Sequence, residues 1–364
     1  MAFDEVELRR ISLELKSPME TSLGVETDRD LVILGVKRGD QWLYGEASPM
    51  SHYQYNHETA DTAMAIAREY VVPTLREVDT VDAYHERLSS IRGHRMAISL
   101  GDQVLHYADS IDEGRSVAEL LGGTNETATC GVSLGLADDD AIVGSIERFL
   151  DQGYRRIKVK IKPGRDIDYI RHIREHFPSI DLMADANAAY TLDDIDHLAR
   201  LDAFDLTMIE QPLAAGDLVD HAVLAERLTT PICLDESILS AADVRRAARI
   251  GACEIVNLKP QRVGGFNPAV EVNRACAESG MDLWIGGMLE SGIGQSMAII
   301  ASSLSEVCHP GDIGDSTKRY FYEDVVEPPI EPVDGAVAVP REPGLGREVD
   351  RDRLAAVTVE HETF

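Results

Sequence analysis

Five short apolar runs, each closed by a charged residue, recur along this 364-residue chain at nearly one spacing. They are RIKVK ending at Lys160, DLMAD at Asp185, LTMIE at Glu210, PICLD at Asp235 and EIVNLK at Lys259. The intervals are 25, 25, 25 and 24 residues. Between the runs lie amphipathic segments of helical period, such as TLDDIDHLARL and AADVRRAARIGA. A strand of about five residues, a helix of about ten and two short loops fill such an interval. Repeated strand–helix units imply a parallel sheet. The apolar run DLWIGG follows one interval later. Six or more regular units predict a (β/α)8-type barrel rather than an open doubly wound sheet. No Gly-x-Gly-x-x-Gly follows the first strand, which argues against a dinucleotide fold.

In such a barrel the C-terminal strand ends share one face, and that face carries the chemistry. Lys160, Asp185, Glu210, Asp235 and Lys259 should therefore converge. Solvated loop charges are the plainer reading, but that reading leaves one period for five single charges unexplained. Three carboxylates with no cysteine or histidine make a hard, oxygen-only site suited to Mg²⁺, with Mn²⁺ as a substitute. Asn187, two residues beyond Asp185, shares its face and could support that shell. A lysine on each side of the carboxylates suggests proton transfer at a carbon next to a metal-bound carboxylate, through an enediolate.

The chain has only seven lysines, and Lys158, Lys160 and Lys162 stand at alternate positions of one segment. A period of two puts them on one strand face. Lysine is a weak base at its usual pKa of about 10.4, and neighbouring cations depress it. Lys158 and the metal are expected to do this for Lys160, whereas Lys162 should lie solvated beyond the strand end.

Residues 1–125 do not follow the spacing. Alternation near 5–15 and 30–46 predicts antiparallel strands, and HETADTAMAIAREYVVPTL predicts a helix. This is an α+β capping domain, followed by the barrel over 126–320. The Pro-, Gly- and Val-rich segment 321–364 is expected to return to the cap. The formal charge of −29, spread along the chain, disfavours nucleic-acid and anionic-membrane partners. Low lysine and aromatic content alongside that charge suggests adaptation to strong salt. No 18-residue apolar run occurs, the start MAFDEVELRR is unlike a signal peptide, and the five cysteines form no CxxC pair. The expectation is a cytoplasmic homo-oligomer acting on a small-molecule carboxylate.

KVKIKPG, DANAAYT, IEQPL, LDES and NLKPQRVGG together resemble the enolase superfamily, in its muconate-lactonizing-enzyme-like subgroup. WIGGMLESGIG, GHRMA, and WLYGEASPM followed by Tyr55 and Glu58 resemble the o-succinylbenzoate synthase and N-succinylamino acid racemase group. That resemblance implies Asp185, Glu210 and Asp235 as Mg²⁺ ligands, Lys160 and Lys259 as the acid/base pair, and Lys158 tuning Lys160. It implies a pocket closed by cap residues Met19, Met50 and Tyr55, with Ser133, Gly287 and Met288 from the barrel. Dipeptide epimerisation, muconate-type cycloisomerisation and acid-sugar dehydration use the same enolate step and stay open, as does a catalytically silent scaffold. Departures from the group are Met19 where an aromatic is common, Gln261 after Lys-Pro, GIGQSMA, and SLGDQVLHYADSIDEGRSVAEL in place of a more apolar helix.

GVSLG at 131–135 matches a hydrolase nucleophile elbow. That motif needs a strand, a sharp turn and an immediate helix, whereas here it opens into LADDD. Ser133 is read as a pocket residue instead.

Overall fold

The computed structural model describes residues 3–364. Two sheets organise the chain. The first is antiparallel: Glu5–Glu20 pairs with Val25–Arg38 on one side and with Thr358–Thr363 on the other, and Gln41–Ala47 follows Val25–Arg38. Alternation on Glu5–Glu20 turns Val6, Leu8, Ile11, Leu13 and Leu15 into the core. Helix Arg95–Glu113 lies against Gln41–Ala47, so close that a Cβ on Gly45 would meet the Leu100 carbonyl at 2.7 Å. The carboxylate of Glu58 caps this helix, accepting from the backbone N–H of Met96 at 3.0 Å and of Ala97 at 3.1 Å. That accounts for the pairing of Glu58 with GHRMA in the sequence.

The second sheet is parallel and follows chain order. Its strands are Gly131–Leu134, Arg156–Lys160, Asp181–Asp185, Ile209–Glu210, Ile232–Leu234, Ile255–Leu258 and Asp282–Ile285. The sheet curls until its two edges face each other, and residues 307–312 fill the eighth place. Cys308 N–H and Asp312 N–H donate to Leu283 and Ile285 on one side, at 3.0 and 2.9 Å. On the other, Gly311 N–H donates to the Thr129 carbonyl at 2.9 Å, and the Gly311 carbonyl accepts from Gly131 N–H at 2.6 Å. Pro310 lacks a donor and Gly311 sits where a Cβ would be 2.8 Å from the Ile285 carbonyl, so the segment closes the barrel without a regular ladder.

Side chains that point into the barrel alternate with those packed beneath the helices. Met183, Met208, Cys233, Ile255 and Trp284 form a separate buried cluster inside it. This apolar floor carries the charged residues one layer above. Helix Gly292–Ala301, buried at every residue, packs against the cap strand Gln41–Ala47. No helix among the described residues is long and apolar enough to cross a membrane.

Candidate active site

Strand register brings the charged residues together. Lys160 pairs across the sheet with Asp185, and Asp185 with Glu210. Glu210 faces Cys233, two residues before Asp235. Lys259 follows directly on Ile255–Leu258. Asp185, Glu210, Asp235 and Lys259 are buried, and Lys160 is half-buried.

The three carboxylates form a row with an ammonium at each end. Lys160 Nζ lies 2.6 Å from Asp185 Oδ2 and 2.7 Å from Asn187 Oδ1. Lys259 Nζ lies 2.8 Å from Asp235 Oδ2. Between them, Lys158 Nζ is 3.0 Å from Glu210, 3.0 Å from Asp312 and 3.5 Å from Asp185. Lys158 is thus neutralised on three sides rather than left to repel Lys160. Burial lowers its pKa, but the charges of Asp312, Glu210 and Asp185 outweigh this and raise it. Burial raises the Asp185 carboxyl, and Lys160 and Lys158 more than reverse that, bringing it to about 2. Lys162 stands apart, exposed and paired with Glu20 at 3.1 Å.

The donor set fits a hard divalent cation. Beside the row, Glu236 is buried, and its Oε2 has no hydrogen-bond partner. Burial and the charge of Asp185 push its pKa up to about 7. An orphaned carboxylate oxygen next to three further buried carboxylates is what an oxygen-coordinated ion would satisfy.

A family profile described as enolase C-terminal domain-like matches residues 141–353. The o-succinylbenzoate synthase of Bacillus subtilis is 39% identical over 364 residues, covering 99% of this chain and 98% of that one. The chain belongs to the enolase superfamily. The N-succinylamino acid racemase of Amycolatopsis sp. is 40% identical over 352 residues, covering 95% of each chain. A solved enolase-superfamily structure from Listeria innocua superposes with a TM-score of 0.93 at 37% identity, over 100% of this chain and 99% of that one. The protein is an enzyme of this superfamily, with the superfamily's barrel and cap.

Cap and barrel share the pocket. A cavity of about 70 Å³ is lined by Lys158, Lys160, Lys259, Asn187, Ser133, Gly287 and Met288 from the barrel, and by Met19, Met50 and Tyr55 from the cap. Tyr55 does more than line it. Its hydroxyl donates to Asp235 Oδ1 at 3.1 Å and accepts from Lys259 Nζ and Arg262 Nη1, each at 3.0 Å. Ser133 sits on a barrel strand that runs into a loop, and no histidine lines the pocket, so the nucleophile-elbow geometry is absent.

Several residues of the site escaped the sequence reading. Asp312 belongs to the irregular eighth segment, off the 25-residue spacing, and bridges Lys158 to Arg156 at 3.0 Å each. Arg262 contacts Asp235 from the turn after Lys259; the motif NLKPQRVGG contained it without marking it. Thr21, Leu23, Leu289 and Tyr320 also line the cavity. Their only signal was proximity in sequence to Met19, Met288 and the pocket loops.

The departures have physical partners. Gln261 accepts from Ser48 N–H of the cap at 2.7 Å, and Gln295 donates to Glu290 at 2.9 Å. Asp102, in the atypical helix, accepts from Phe266 N–H at 2.5 Å and Asn267 N–H at 3.2 Å. It caps barrel helix Phe266–Ser279 from the cap domain.

Proposed function

We propose that this enzyme removes and returns a proton on the carbon next to a substrate carboxylate. Two lysines at opposite ends of one carboxylate row, Lys160 on Asp185 and Lys259 on Asp235, carry this reading. Asp185, Glu210 and Asp235 would hold Mg²⁺, or Mn²⁺ in its place. Such an ion supplies positive charge beside the substrate carboxylate, which makes the adjacent C–H more acidic. Lys160 and Lys259 face the α-carbon from two sides, one taking the proton at Nζ and the other able to deliver one. Asn187 holds Lys160, and Tyr55 with Asp235 holds Lys259, so each amine keeps its direction without substrate. Met19, Met50 and Met288 would exclude water. The similarity to o-succinylbenzoate synthases and N-succinylamino acid racemases favours dehydration to o-succinylbenzoate, racemisation of N-acylamino acids, or both, as the reaction.

Deuterium uptake at the α-carbon of each enantiomer of an N-succinylamino acid tests this. Lys160→Ala should abolish uptake for one enantiomer and Lys259→Ala for the other. Equal losses for both enantiomers in both variants would count against two-sided addressing of the α-carbon. Full exchange in both would place the base elsewhere.

A further inference from the structure

The barrel has a second end. The strand Asp282–Ile285 begins at Asp282, and the eighth segment begins beside it, where Val307 bridges Leu283. Both beginnings lie on the face opposite the carboxylate row. Three side chains of different chemistry meet there: the Asp282 carboxylate, the Cys308 thiol and the His309 imidazole. One ligand atom from each lies within 4.8 Å of the other two, and His309 Nε2 is 3.0 Å from Asp282 Oδ2. Around a tetrahedral ion, bonds of about 2.0–2.3 Å set the ligand atoms about 3.3–3.6 Å apart, so small side-chain rotations close the shell.

The backbone beneath these groups is already fixed. Asp282 N–H donates to the Glu254 carbonyl and Cys308 N–H to the Leu283 carbonyl, each at 3.0 Å. Just ahead of Cys308, Asn273 on the helix Phe266–Ser279 accepts from Glu306 N–H at 3.0 Å. Asn125 Nδ2 donates to the Val307 carbonyl at 3.1 Å.

The side chains themselves are lightly engaged. Among the described residues no lysine or arginine pairs with Asp282, whose ion pair is with His309. Cys308 is a free thiol and is exposed, whereas Cys130, Cys233, Cys253 and Cys276 are buried. Its Sγ makes a long contact of 3.8 Å to the Leu283 carbonyl.

We propose that Asp282, Cys308 and His309 bind Zn²⁺, with water as the fourth ligand. Sulfur, nitrogen and oxygen donors together suit zinc, whereas Mg²⁺ keeps to oxygen. The thiol passes its proton to water as the Zn–S bond forms, and the imidazole binds in its neutral form. The ion clips the seventh strand to the eighth segment, next to the place where Pro310 and Gly311 interrupt the ladder. The same segment carries Asp312, which pairs with Lys158 at the other end of the barrel. The clip is therefore structural and lies away from the reacting groups.

Co²⁺ titrated into the full chain in excess Mg²⁺ reads this site apart from the carboxylate row. Only a thiolate ligand gives a sulfur-to-cobalt charge-transfer band in the near ultraviolet, and the row holds no sulfur. The band should appear and saturate, and Zn²⁺ should bleach it. Zn²⁺ should also protect Cys308 from a disulfide reagent, because the thiolate is both ligand and nucleophile. Cys308→Ser should remove the band. His309→Gln and Asp282→Asn should each weaken Co²⁺ binding by roughly tenfold or more, since even outer partners of a metal act on that scale. All three side chains are at least partly exposed, so the variants should keep the circular dichroism of the native protein. Absence of the band would overturn the proposal. So would unchanged affinity in His309→Gln or Asp282→Asn, which would mean capture of the ion by a solitary thiol.

Discussion

Asp102→Ala should loosen the joint between the two units of the fold. Asp102 is fully buried on the cap helix Arg95–Glu113, and its carboxylate caps the barrel helix Phe266–Ser279 while contacting His85 Nε2 at 2.7 Å. Loss of an N-cap costs about 1 kcal/mol, and stranding buried donors of a charge-assisted contact adds about 1.5–3. A total of about 2.5–4 kcal/mol is expected, with Asp102→Asn costing roughly half because an amide retains one acceptor. The two tryptophans give the assay its resolution, since Trp42 lies on the cap sheet and Trp284 inside the barrel. In urea, fluorescence of Trp42→Phe protein follows the barrel, and Trp284→Phe protein follows the cap. Asp102→Ala should lower both midpoints and pull them apart. Gly265 supplies the matching cycle, because a Cβ there would lie 2.1 Å from Asp102 Cγ, at a φ of +126°. Gly265→Ala should be severe alone and milder beside Asp102→Ala, with a coupling of about 1.5 kcal/mol or more. A cost below about 1 kcal/mol for Asp102→Ala, or additivity within about 0.5, would refute this account of the joint.

Chelation should abolish exchange and added Mg²⁺ or Mn²⁺ restore it, and Asp235→Asn should lose orders of magnitude of activity while circular dichroism is unchanged; full activity in metal-free buffer would sink the cation site. The charge of −29 predicts a melting temperature that falls as salt drops from molar to about 0.1 M, because the screening length grows from about 3 to about 10 Å. A flat profile would count against adaptation to salt. Burial raises the Glu58 carboxyl from 4.5 to about 7, against the opposing pull of the Met96 and Ala97 N–H groups. A raised carboxyl stabilises the fold below its unfolded pKa and loses that contribution as pH climbs through the folded one. The stability of the native protein relative to Glu58→Gln should therefore decline by roughly 3 kcal/mol between pH 4.5 and 8. A constant difference in urea would contradict this.

What was legible in the sequence was whatever repeats. Parallel strands buried on both faces leave short apolar runs, and the barrel sets their spacing, so the positions of Lys160, Asp185, Glu210, Asp235 and Lys259 could be read from a period. Asp312 could not, because Pro310 and Gly311 break the eighth strand and with it the spacing. Tyr55 was visible only through resemblance, since a loop on another unit carries no periodic signal. The lysine crowding is only half of the local electrostatics. Repulsion along one strand was plain from alternation, whereas the compensating carboxylates come from three other segments.

Thr358–Thr363 completes the cap sheet by pairing with Glu5–Glu20, near the opposite end of the chain. During synthesis that first strand waits for almost the whole chain with one edge uncovered, offering a row of unpaired donors and acceptors to any neighbour. Arg9 and Arg10 stand opposite His361 and Glu360 in that register, but Arg9 is tied to Glu7 at 2.8 Å and Arg10 to Asp30 and Asp61, so little free charge guards the waiting edge. The late strand brings its own fastening, Glu360 and Glu362 on Arg68 of the cap and His361 3.3 Å from Glu7, so its arrival both covers the edge and ties it to the neighbouring helical segment.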